Sequence, residues 1–399
     1  DYLILNNNNI KCISYKLNRS SVNPITNIYN FLNLYLLIKK NNPDIIFSYS
    51  IKPVIYASII SYFVKTPKCF SLIEGLGYIF TYHRSLGLIY YRVLLKFIVI
   101  QMYKLSLPFN KKVFFLNTSD INEFQSRRLV SVEQTELIDG IGLDLKYFSY
   151  QPATPKDKIV FLFLGRLLRE KGLYEFIEAA IRIREVTSKA SFLVVGDIDT
   201  NPGSINEREV KKWVKEGLID WIRFTRDVRP YLQKSSVFVL PSYREGLSRS
   251  IQEAMAIGRP IITCDSVGCR ETVEENKNGF LVPIRDSETL AKKMEIFLEQ
   301  RKLINQMGLE SRKIAEKRFD VHKINQIFLN KMLIVQKTSR KKLFIISNQS
   351  FSLINFRLSL MSLLKNNNYD VYAIAPDFKL NDYLILNNNN IKCISYKLN

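Results

Sequence analysis

Short apolar runs alternate along most of this chain with longer segments whose apolar residues recur every three or four positions. The short runs are rich in β-branched and aromatic residues, as in 159–164 and 237–240, which is typical of strands buried on both faces. The longer segments, such as 24–41 and 85–106, have the spacing of helices. Regular alternation of buried strands and helices predicts an α/β architecture with parallel sheets.

The predicted elements fall into two groups, and we expect one domain from 1–150 plus 340–399 and a second from 151–339. In the first domain, strands are expected near 10–15, 44–48, 68–72, 112–116, 135–138, 342–346 and 370–375, with helices near 24–41, 53–64, 85–106 and 118–127. In the second, strands are expected near 158–164, 191–196, 221–224, 236–240, 260–263 and 279–282, followed by a long helical end over 286–336. With 399 residues, of which 47% are hydrophobic, the chain is long enough to fill two cores.

The formal net charge of +21 is unevenly distributed, because 19–150 together with 340–399 holds about twice as many cations as anions. No helix-turn-helix, zinc-finger or RNA-recognition signature accompanies this charge, so we expect no nucleic-acid partner. Within 86–107, Arg92, Lys96 and Lys104 lie within about 120° of one another on a helical wheel, which predicts contact with an anionic membrane surface. An ordinary domain helix with a solvated basic face is the alternative.

The sequence also gives an expectation for the cellular compartment of the protein. No apolar run reaches the roughly 18 uncharged residues that a membrane-spanning helix needs. The five cysteines, of which Cys393 repeats Cys12, lack CxxC or other metal-binding spacing. We therefore expect buried, unpaired thiols in a protein of the reducing cytosol.

Two motifs follow predicted strands and carry the candidate chemistry. The first, GRLLREKG at 165–172, places Arg166 and Lys171 at the carboxyl end of a strand, where open α/β sheets bind ligands. The second, EGLSRSIQE at 245–253, places Glu245 at the mouth of a helix and Glu253 two turns further along. Two cations suit a diphosphate and two carboxylates suit hydroxyl-rich groups. Together the motifs predict a site for a nucleotide sugar.

These motifs, with GDIDTNP at 196–202, LPSYREGL at 240–247, GCRETV at 268–273 and NGFLVP at 278–283, resemble those of glycosyltransferase family 4. The sequences of these motifs are most like those of the bacterial branch of the family, which builds capsule, O-antigen and glycoprotein oligosaccharides. The resemblance implies the GT-B fold, in which two Rossmann-like domains face each other across a cleft. It also implies a retaining enzyme that moves a hexosyl or N-acetylhexosaminyl unit from a UDP-linked sugar to a polyprenyl-diphosphate-linked saccharide. Such an enzyme would be cytoplasmic and peripheral on the inner face of the cell membrane.

The resemblance assigns roles on the donor side. It implies that Arg166 and Lys171, beside Gly165, hold the diphosphate, while Glu245 holds sugar hydroxyls and completes the catalytic group. Glu253 would hold the ribose hydroxyls. Backbone amides would face the donor from a helix N-terminus at Gly246, Leu247 and Ser248.

On the acceptor side, the resemblance points to a loop after the strand at 68–72 and to the turn that opens the helix after 342–346. The implied residues are Glu74, Gly75, Gly77, Asn348, Ser350 and Arg357. At the position of Glu74 relatives carry a small polar residue or histidine. This glutamate is therefore either a structural surface acid or a partner of an acceptor hydroxyl. The turn lacks the double glycine of many relatives, so an approaching phosphate would rely on Ser, Asn and Arg357.

Asp197-Ile198-Asp199 matches the DxD metal motif of another glycosyltransferase fold. Cationic side chains replace the metal in the implied fold, so we expect no metal cofactor.

Other functions remain open at this point. A sugar-nucleotide epimerase of the same fold is one alternative function. A catalytically impaired nucleotide-sugar-binding protein is another.

Residues 382–399, DYLILNNNNIKCISYKLN, repeat residues 1–18 letter for letter. Read from 340 to 399 and on from 19 to 338, the elements follow the usual order of the family. A circular permutation, an engineered rearrangement or a gene-calling artefact on circular DNA would each produce this arrangement. A sheet has one position for a strand of that register, and we expect the first copy, at 10–15, to occupy it.

Overall fold

The computed structural model describes residues 10–18, 21–65, 68–76, 80, 86–154, 157–199, 201, 203–332 and 341–378, with the backbone alone described for 86–92. The described chain divides into two compact units. Unit 1 contains 10–76, 86–142 and 322–378, and unit 2 contains Phe80 and 143–321. The boundaries therefore fall at 142/143 and 321/322 rather than at the 150/151 and 339/340 positions expected from the sequence.

The described strands, in chain order, are β1 (Lys11–Ser14), β2 (Ile45–Tyr49), β3 (Lys68–Ile73), β4 (Lys112–Phe115), β5 (Thr135–Leu137), β6 (Ile159–Leu164), β7 (Ala190–Val195), β8 (Asp220–Ile222), β9 (Val237–Leu240), β10 (Ile261–Cys264), β11 (Gly279–Val282), β12 (Lys341–Ile346) and β13 (Tyr369–Ala375). Each predicted strand is confirmed, with its ends within two residues of the expected ones.

The described α-helices are α1 (Pro24–Asn41), α2 (Ile51–Phe63), α3 (Leu86–Ser106), α4 (Thr118–Ser126), α5 (Leu173–Val186), α6 (Glu207–Lys215), α7 (Arg229–Lys234), α8 (Arg249–Ile257), α9 (Ser287–Glu299), α10 (Lys302–Arg318), α11 (Val321–Met332) and α12 (Ser350–Asn366). Local chemistry sets the ends of α1. The side chain of Asn23 accepts a hydrogen bond from the amide of Ile25, and Asn42 ends the helix with a left-handed φ of 44°.

Both sheets are entirely parallel in the described strands. The sheet of unit 1 has the order β1-β13-β12-β2-β3-β4-β5, and the sheet of unit 2 has the order β11-β10-β9-β6-β7-β8. Helices connect most successive strands, and the inner strands are buried runs such as Phe161–Phe163, whereas the edge strands β5 and β8 are partly exposed. Two α/β units with parallel sheets confirm the predicted fold class.

The late strand β12 lies in the middle of the sheet of unit 1, between β13 and β2. Placed before β1 in sequence, β12 and β13 would give a sheet that begins at its centre and grows outward in both directions, as doubly wound sheets do. Strand β1 pairs with β13 from Lys11 opposite Tyr372 to Ser14 opposite Ala375. The first copy of the repeat therefore occupies the edge position, as expected, while the second copy lies outside the described residues.

The long helical end predicted over 286–336 is divided into α9, α10 and α11, and 333–336 lie outside the described residues. The break after α10 has a clear cause. The amide of Leu143 donates to the carbonyl of Phe319 at 2.7 Å, and the amide of Val321 donates to the carbonyl of Leu143 at 2.9 Å. These bonds take the backbone out of helical pairing and tie the two ends of unit 2 together.

Helix α11 follows this break and belongs to unit 1. The Phe328 ring packs against Phe47 and Phe114, with ring centroids 5.5 Å and 4.9 Å apart. In the described part of the chain, no helix combines the length and apolar character needed to cross a membrane.

Candidate functional site

In unit 2, the loops after β6, β7, β9 and β10 meet at the carboxyl edge of the sheet. Backbone hydrogen bonds join them in pairs: Leu167 donates to Asp197 at 3.0 Å, and Glu245 donates to Val267 at 2.9 Å. The Tyr243 amide likewise donates to the Glu170 carbonyl at 2.9 Å. The loops that carry the two sequence motifs are therefore fixed against each other, as the sequence predicted from their positions after strands.

Close backbone approach at this edge requires two glycines. Gly172 has a φ of 78°, and a Cβ there would lie 2.1 Å from the carbonyl oxygen of Pro241. Gly268 also has a φ of 78°, and a Cβ there would lie 2.3 Å from the carbonyl oxygen of Glu245. Any larger residue would displace the loop that carries Glu245.

Lys171 and Glu245 form a direct ion pair, although they belong to different motifs. Lys171 ends a short 3₁₀ turn after β6, and its ammonium group donates to the Oε1 atom of Glu245. Both side chains are mostly buried, with exposed fractions of 18% and 12%. An ammonium group has three donors, so Lys171 retains capacity for a second anionic partner.

Arg166 pairs with Asp199, which lies in the loop after β7. Its Nη1 atom donates to Asp199 Oδ2 at 2.8 Å. The other oxygen of Asp199 accepts from the amide of Asn201 at 2.9 Å and from its side chain at 2.6 Å. Arg166 is more than half exposed, so its guanidinium is held at one end and open to solvent at the other. Asp199, the second carboxylate of the DxD-like motif, therefore forms an ion pair with the arginine that is predicted to bind the diphosphate.

The second motif contains the start of α8, as predicted, and Ser248 is the residue before the first turn of that helix. Leu247 and Ser248 are buried, and Gly246 precedes them in the loop fixed by Gly268. Glu253 lies one turn along the same helix face as Arg249, whose Nε donates to it at 2.9 Å. Burial raises the pKa of the Glu253 carboxyl, and the Arg249 guanidinium offsets part of that rise.

In unit 1, Glu74, whose side chain is 28% exposed, pairs with the buried Arg357 at the carboxyl edge of the sheet. Glu74 follows β3, and its Oε1 atom accepts a hydrogen bond from Nη2 of Arg357 on α12. Arg357 is 1% exposed, and its guanidinium lies 4.6 Å from the ring centre of Tyr49. Burial raises the pKa of Glu74, which Arg357 counteracts, and raises the pKa of Tyr49 to about 12. Glu74 therefore has a structural contact, as the partner of a buried arginine, and its alternative role as the partner of an acceptor hydroxyl stays a prediction.

Side-chain hydrogen bonds hold the turn before α12. Asn348 Oδ1 accepts from Ser50 at 3.1 Å, and the amide of Ser350 donates to the carboxylate of Asp377. A carboxylate therefore occupies the helix N-terminus where the resemblance implied an approaching phosphate, and Arg357 points into the core. The predicted role of these residues toward a phosphate stays a prediction, and an anion that bound the Ser350 amide would have to replace Asp377 there.

Two glycines complete the predicted acceptor-side set. Gly75 has a φ of 125°, a conformation that favours glycine, directly after Glu74. Gly77 lies outside the described residues. In the described part of unit 1, Glu74 follows β3, while Asn348 and Ser350 follow β12, and only β2 separates these two strands in the sheet. Arg357, in α12, contacts Glu74.

The cations of the basic stripe predicted on α3 differ in their surroundings. Lys96 lies 3.8 Å from Glu123 of α4, while Lys104 is exposed in the last turn. The side chain of Arg92 lies outside the described residues. One of the three predicted cations therefore has an internal acidic neighbour.

Sequence reasoning missed several residues that shape the site. Arg249 could have been found from its spacing of four before Glu253, which is the geometry of a helical ion pair. Tyr243, whose hydroxyl donates to Glu175, and Asp377 lie too far in sequence from their partners for spacing to reveal them. Among the residues that the structure describes, no group of three or more His, Cys, Asp or Glu side chains is arranged to hold a metal ion.

Two family descriptions match the chain. "Glycosyl transferases group 1" matches residues 148–314, and "Glycosyl transferase 4-like" matches residues 2–117. The first match covers the donor-side loops of unit 2, and the second covers β1 to β4 of unit 1.

The similarity to individual proteins extends over both units. The chain is 30% identical over 306 residues to the N,N'-diacetylbacillosaminyl-diphospho-undecaprenol alpha-1,3-N-acetylgalactosaminyltransferase of Campylobacter jejuni, covering 74% of this chain and 78% of that protein. It is 25% identical over 333 residues to the UDP-Gal:alpha-D-GlcNAc-diphosphoundecaprenol alpha-1,3-galactosyltransferase of Escherichia coli, covering 79% and 82%. It is also 25% identical to the capsular polysaccharide biosynthesis glycosyltransferase CapM of Staphylococcus aureus, covering 74% and 77%.

Among solved structures, the chain is similar to Anabaena HepE in complex with UDP and glucose. The TM-score is 0.63 at 18% identity, covering 80% of this chain and 84% of that one. Sucrose-phosphate synthase from Thermosynechococcus elongatus has a TM-score of 0.63 at 20% identity, covering 77% and 78%. At these identities the likeness concerns the fold.

Proposed function

This chain belongs to the glycosyltransferases of the group 1 and 4-like type, and we propose that it transfers a hexosyl or N-acetylhexosaminyl unit from a UDP-linked sugar to a polyprenyl-diphosphate-linked saccharide. Relatives from Campylobacter jejuni and Escherichia coli are named for transfer to undecaprenol-diphosphate-linked sugars. A protein of the same fold has been solved with UDP and glucose. Together they support the classes of acceptor and donor proposed.

The observation that carries this proposal is the meeting of Arg166, Lys171 and Glu245 at one edge of the unit 2 sheet. Two cations there can neutralise the charge that grows on a diphosphate as the sugar leaves. Glu245, fixed by its ion pair with Lys171, would hold the hydroxyls of the transferred sugar beside that diphosphate. Glu253 would hold the ribose hydroxyls.

We propose retention of configuration through a front-face displacement. The bond from the anomeric carbon to the diphosphate oxygen breaks while the acceptor oxygen bonds to the same face, and the leaving diphosphate takes the acceptor proton. The cationic side chains would make this step independent of a metal ion. Asp199 supports this assignment, because both its oxygens accept hydrogen bonds from protein groups.

The product would be a longer lipid-linked saccharide for surface polysaccharide or glycan assembly. The named relatives include a capsular polysaccharide glycosyltransferase, which supports this setting. A lipid-linked acceptor places the reaction at a membrane surface, and we propose peripheral association with the inner face of the cell membrane.

Incubation with a panel of UDP-sugars, with and without polyprenyl-diphosphate-linked saccharide in lipid extract, tests the proposal. We expect UDP release that depends on the lipid and a lipid product heavier by one sugar residue. UDP release with altered free sugar in the absence of lipid would instead indicate an epimerase. Tight UDP-sugar binding without turnover would indicate a binding protein.

A further inference from the structure

Helix α1 of unit 1 is apolar on the side that faces solvent. Leu34 and Ile38 point inward and are fully buried. On the opposite side, large apolar side chains recur at helical spacing, with exposed fractions from 49% to 78%: Ile25, Ile28, Leu32 and Leu36. The exposed side of a surface helix is normally polar, so the apolar side of α1 indicates that it binds a partner.

Helix α3 has the same character. Val99 and Tyr103 are buried on one side of it. Its opposite side exposes apolar side chains of which more than half the surface is free: Val93, Leu94, Phe97 and Leu105.

The end of α2 adds aromatic rings to this surface. Tyr62 and Phe63 are both about 60% exposed, and the Tyr62 ring stacks on Phe109 with centroids 4.6 Å apart. The connections β1–α1–β2, β2–α2–β3 and β3–α3–β4 all move across the sheet in one direction. Right-handed crossovers therefore place the three helices on one face of the sheet. Helix α2 packs against both α1 and α3, which makes the surface continuous.

We call the exposed apolar residues of α1, α3 and the end of α2 the outer face. Soluble monomers rarely expose continuous apolar patches of more than a few hundred Å². A partner is therefore needed, and charge indicates which kind. Across their full lengths the three helices carry the cations Lys39, Lys40, Lys52, Arg92, Lys96 and Lys104, and no aspartate or glutamate at all.

Apolar side chains flanked by lysines, without acidic residues, are the composition of helices that lie in the interface of anionic membranes. We propose that the outer face docks on an anionic lipid bilayer, with the apolar side chains of α1 and α3 inserted among the headgroups. Lys39, Lys40 and Lys104 contact the lipid phosphates. This inference rests on the proposed function, since it names the surface that brings the enzyme to a lipid-linked acceptor.

The direction of the helices fits this role. Each of α1, α2 and α3 follows a parallel strand, so each begins at the carboxyl edge of the sheet. Glu74 and Asn348 lie at the same edge. A bilayer lying along the outer face therefore reaches the edge that carries the acceptor-side residues, which is where a membrane-embedded diphosphate would present its saccharide.

Vesicle flotation with a matched set of variants tests the proposal. The outer-face variant carries Ile25→Gln, Leu32→Gln, Leu36→Gln, Leu94→Gln and Phe97→Gln. The control variant carries Val132→Gln and Val186→Gln, which change exposed apolar residues elsewhere. With phosphatidylcholine vesicles containing about 30% phosphatidylglycerol, we expect the wild type and the control to float and the outer-face variant to bind about tenfold or more weakly. Equal flotation of the outer-face variant, or no flotation of the wild type, overturns the proposal.

A lysine variant separates charge from apolar insertion. Lys39→Gln, Lys40→Gln and Lys104→Gln together should reduce binding to anionic vesicles about tenfold or more and leave the weaker binding to pure phosphatidylcholine unchanged. An unchanged preference for anionic vesicles contradicts the assignment of these lysines. Light scattering tests whether the outer face binds a second copy of the chain instead. We expect the wild type to be a monomer. A stable wild-type dimer, together with a monomeric outer-face variant, would overturn the proposal.

Activity assays keep this inference distinct from the proposed function. With a short-chain, water-soluble acceptor, the outer-face variant should transfer sugar as fast as the wild type, and with a long-chain acceptor in vesicles its rate should fall about tenfold. Equal loss on both acceptors would show damage to the site and overturn the docking role. Vesicle binding by a wild type that transfers to neither acceptor would refute the proposed function while leaving the docking surface intact.

Discussion

Lys171 donates a hydrogen bond to the carboxylate of Glu245, and the two residues follow adjacent strands, β6 and β9, of the unit 2 sheet. Adjacent parallel strands end at the same edge, so residues far apart in sequence meet there. In the proposed reaction the lysine holds the leaving diphosphate and the glutamate holds the sugar. Their ion pair therefore fixes the spacing between the two parts of the donor before the donor binds.

Glu245→Gln should lower kcat by about two orders of magnitude, because it removes the charge that orients the donor sugar. The melting temperature should fall, because the mostly buried Lys171 loses its counter-charge, although Gln keeps an oxygen that can accept the hydrogen bond from Lys171. Steady-state kinetics and thermal denaturation measure both effects. Glu288→Gln is the control, since Glu288 forms an exposed pair with Lys292. Activity of Glu245→Gln within about threefold of the wild type would contradict the assignment.

The raised pKa of Glu253 predicts a pH dependence of stability. Burial makes the folded protein hold this proton more tightly than the unfolded chain does. Its contribution to the free energy of unfolding is therefore fully present below the unfolded pKa and is lost as the pH rises through the folded pKa. Urea denaturation of the wild type and Glu253→Gln from about pH 4 upward measures the difference, which should fall with rising pH. A constant difference would refute the prediction.

The same carboxyl should control nucleotide affinity in the opposite direction. A charged carboxylate accepts hydrogen bonds from ribose hydroxyls better than a protonated one does. Wild-type affinity for UDP should therefore increase as the pH rises through the raised pKa of Glu253, and the affinity of Glu253→Gln should not. Calorimetric titration with UDP tests this, and identical pH profiles for the two proteins would exclude a role for Glu253 in binding.

Breaking the pair of Glu74 and Arg357 should destabilise unit 1. Glu74→Gln leaves a buried guanidinium without its counter-charge, and we expect a loss of about 2–4 kcal/mol in the free energy of unfolding. Arg357→Met combined with Glu74→Gln should cost less than the sum of the two single changes. Urea denaturation provides this double-mutant cycle. The exposed pair of Lys292 and Glu288 should give a coupling below about 0.5 kcal/mol, and a similar value for Glu74 and Arg357 would be evidence against a buried pair.

The two copies of the repeated segment offer a matched comparison within one chain. Ile13 of the first copy is buried in β1, and Ile13→Asp should cost about 3 kcal/mol or more. Ile394→Asp makes the same change in the second copy and should leave the melting temperature unaltered. Limited proteolysis with mass mapping should likewise remove 382–399 without loss of nucleotide binding. Equal destabilisation by the two substitutions would show that both copies exchange in one position.

The strands could be predicted from the sequence because parallel strands buried on both faces require nearly unbroken apolar runs, as in β6 and β9. The unit boundaries could not be placed as well. The break between α10 and α11 depends on backbone hydrogen bonds from Leu143, which lies far away in sequence. Helical periodicity continues across that break, so the sequence pattern predicts one helical end where there are three helices.

The position of the predicted donor-side residues at one sheet edge could be foreseen because they stand in compact motifs that follow strands. The contacts of the predicted acceptor-side residues could not, because they join distant segments. Arg357 appears in the sequence as one basic residue of an amphipathic helix, and only packing shows that Glu74 and Tyr49 enclose it. Asp377 takes the helix N-terminus at Ser350 through a connection that no local spacing reveals.

The tie between Leu143 and Val321 has a consequence for how the chain folds. Apart from Phe80, the described part of unit 2 is one stretch, 143–321, whose two ends are joined by hydrogen bonds, so most of its contacts can form within that stretch. Unit 1 must instead join β2 to β12, where Asp44 and Lys342 bond across 298 positions. Closing so long a loop is slow, but a folded unit 2 shortens it by bringing residues 143 and 321 together. Refolding followed by intrinsic fluorescence should therefore show two kinetic phases, in which unit 2 forms first and holds residues 143 and 321 together while β2 and β12 of unit 1 pair.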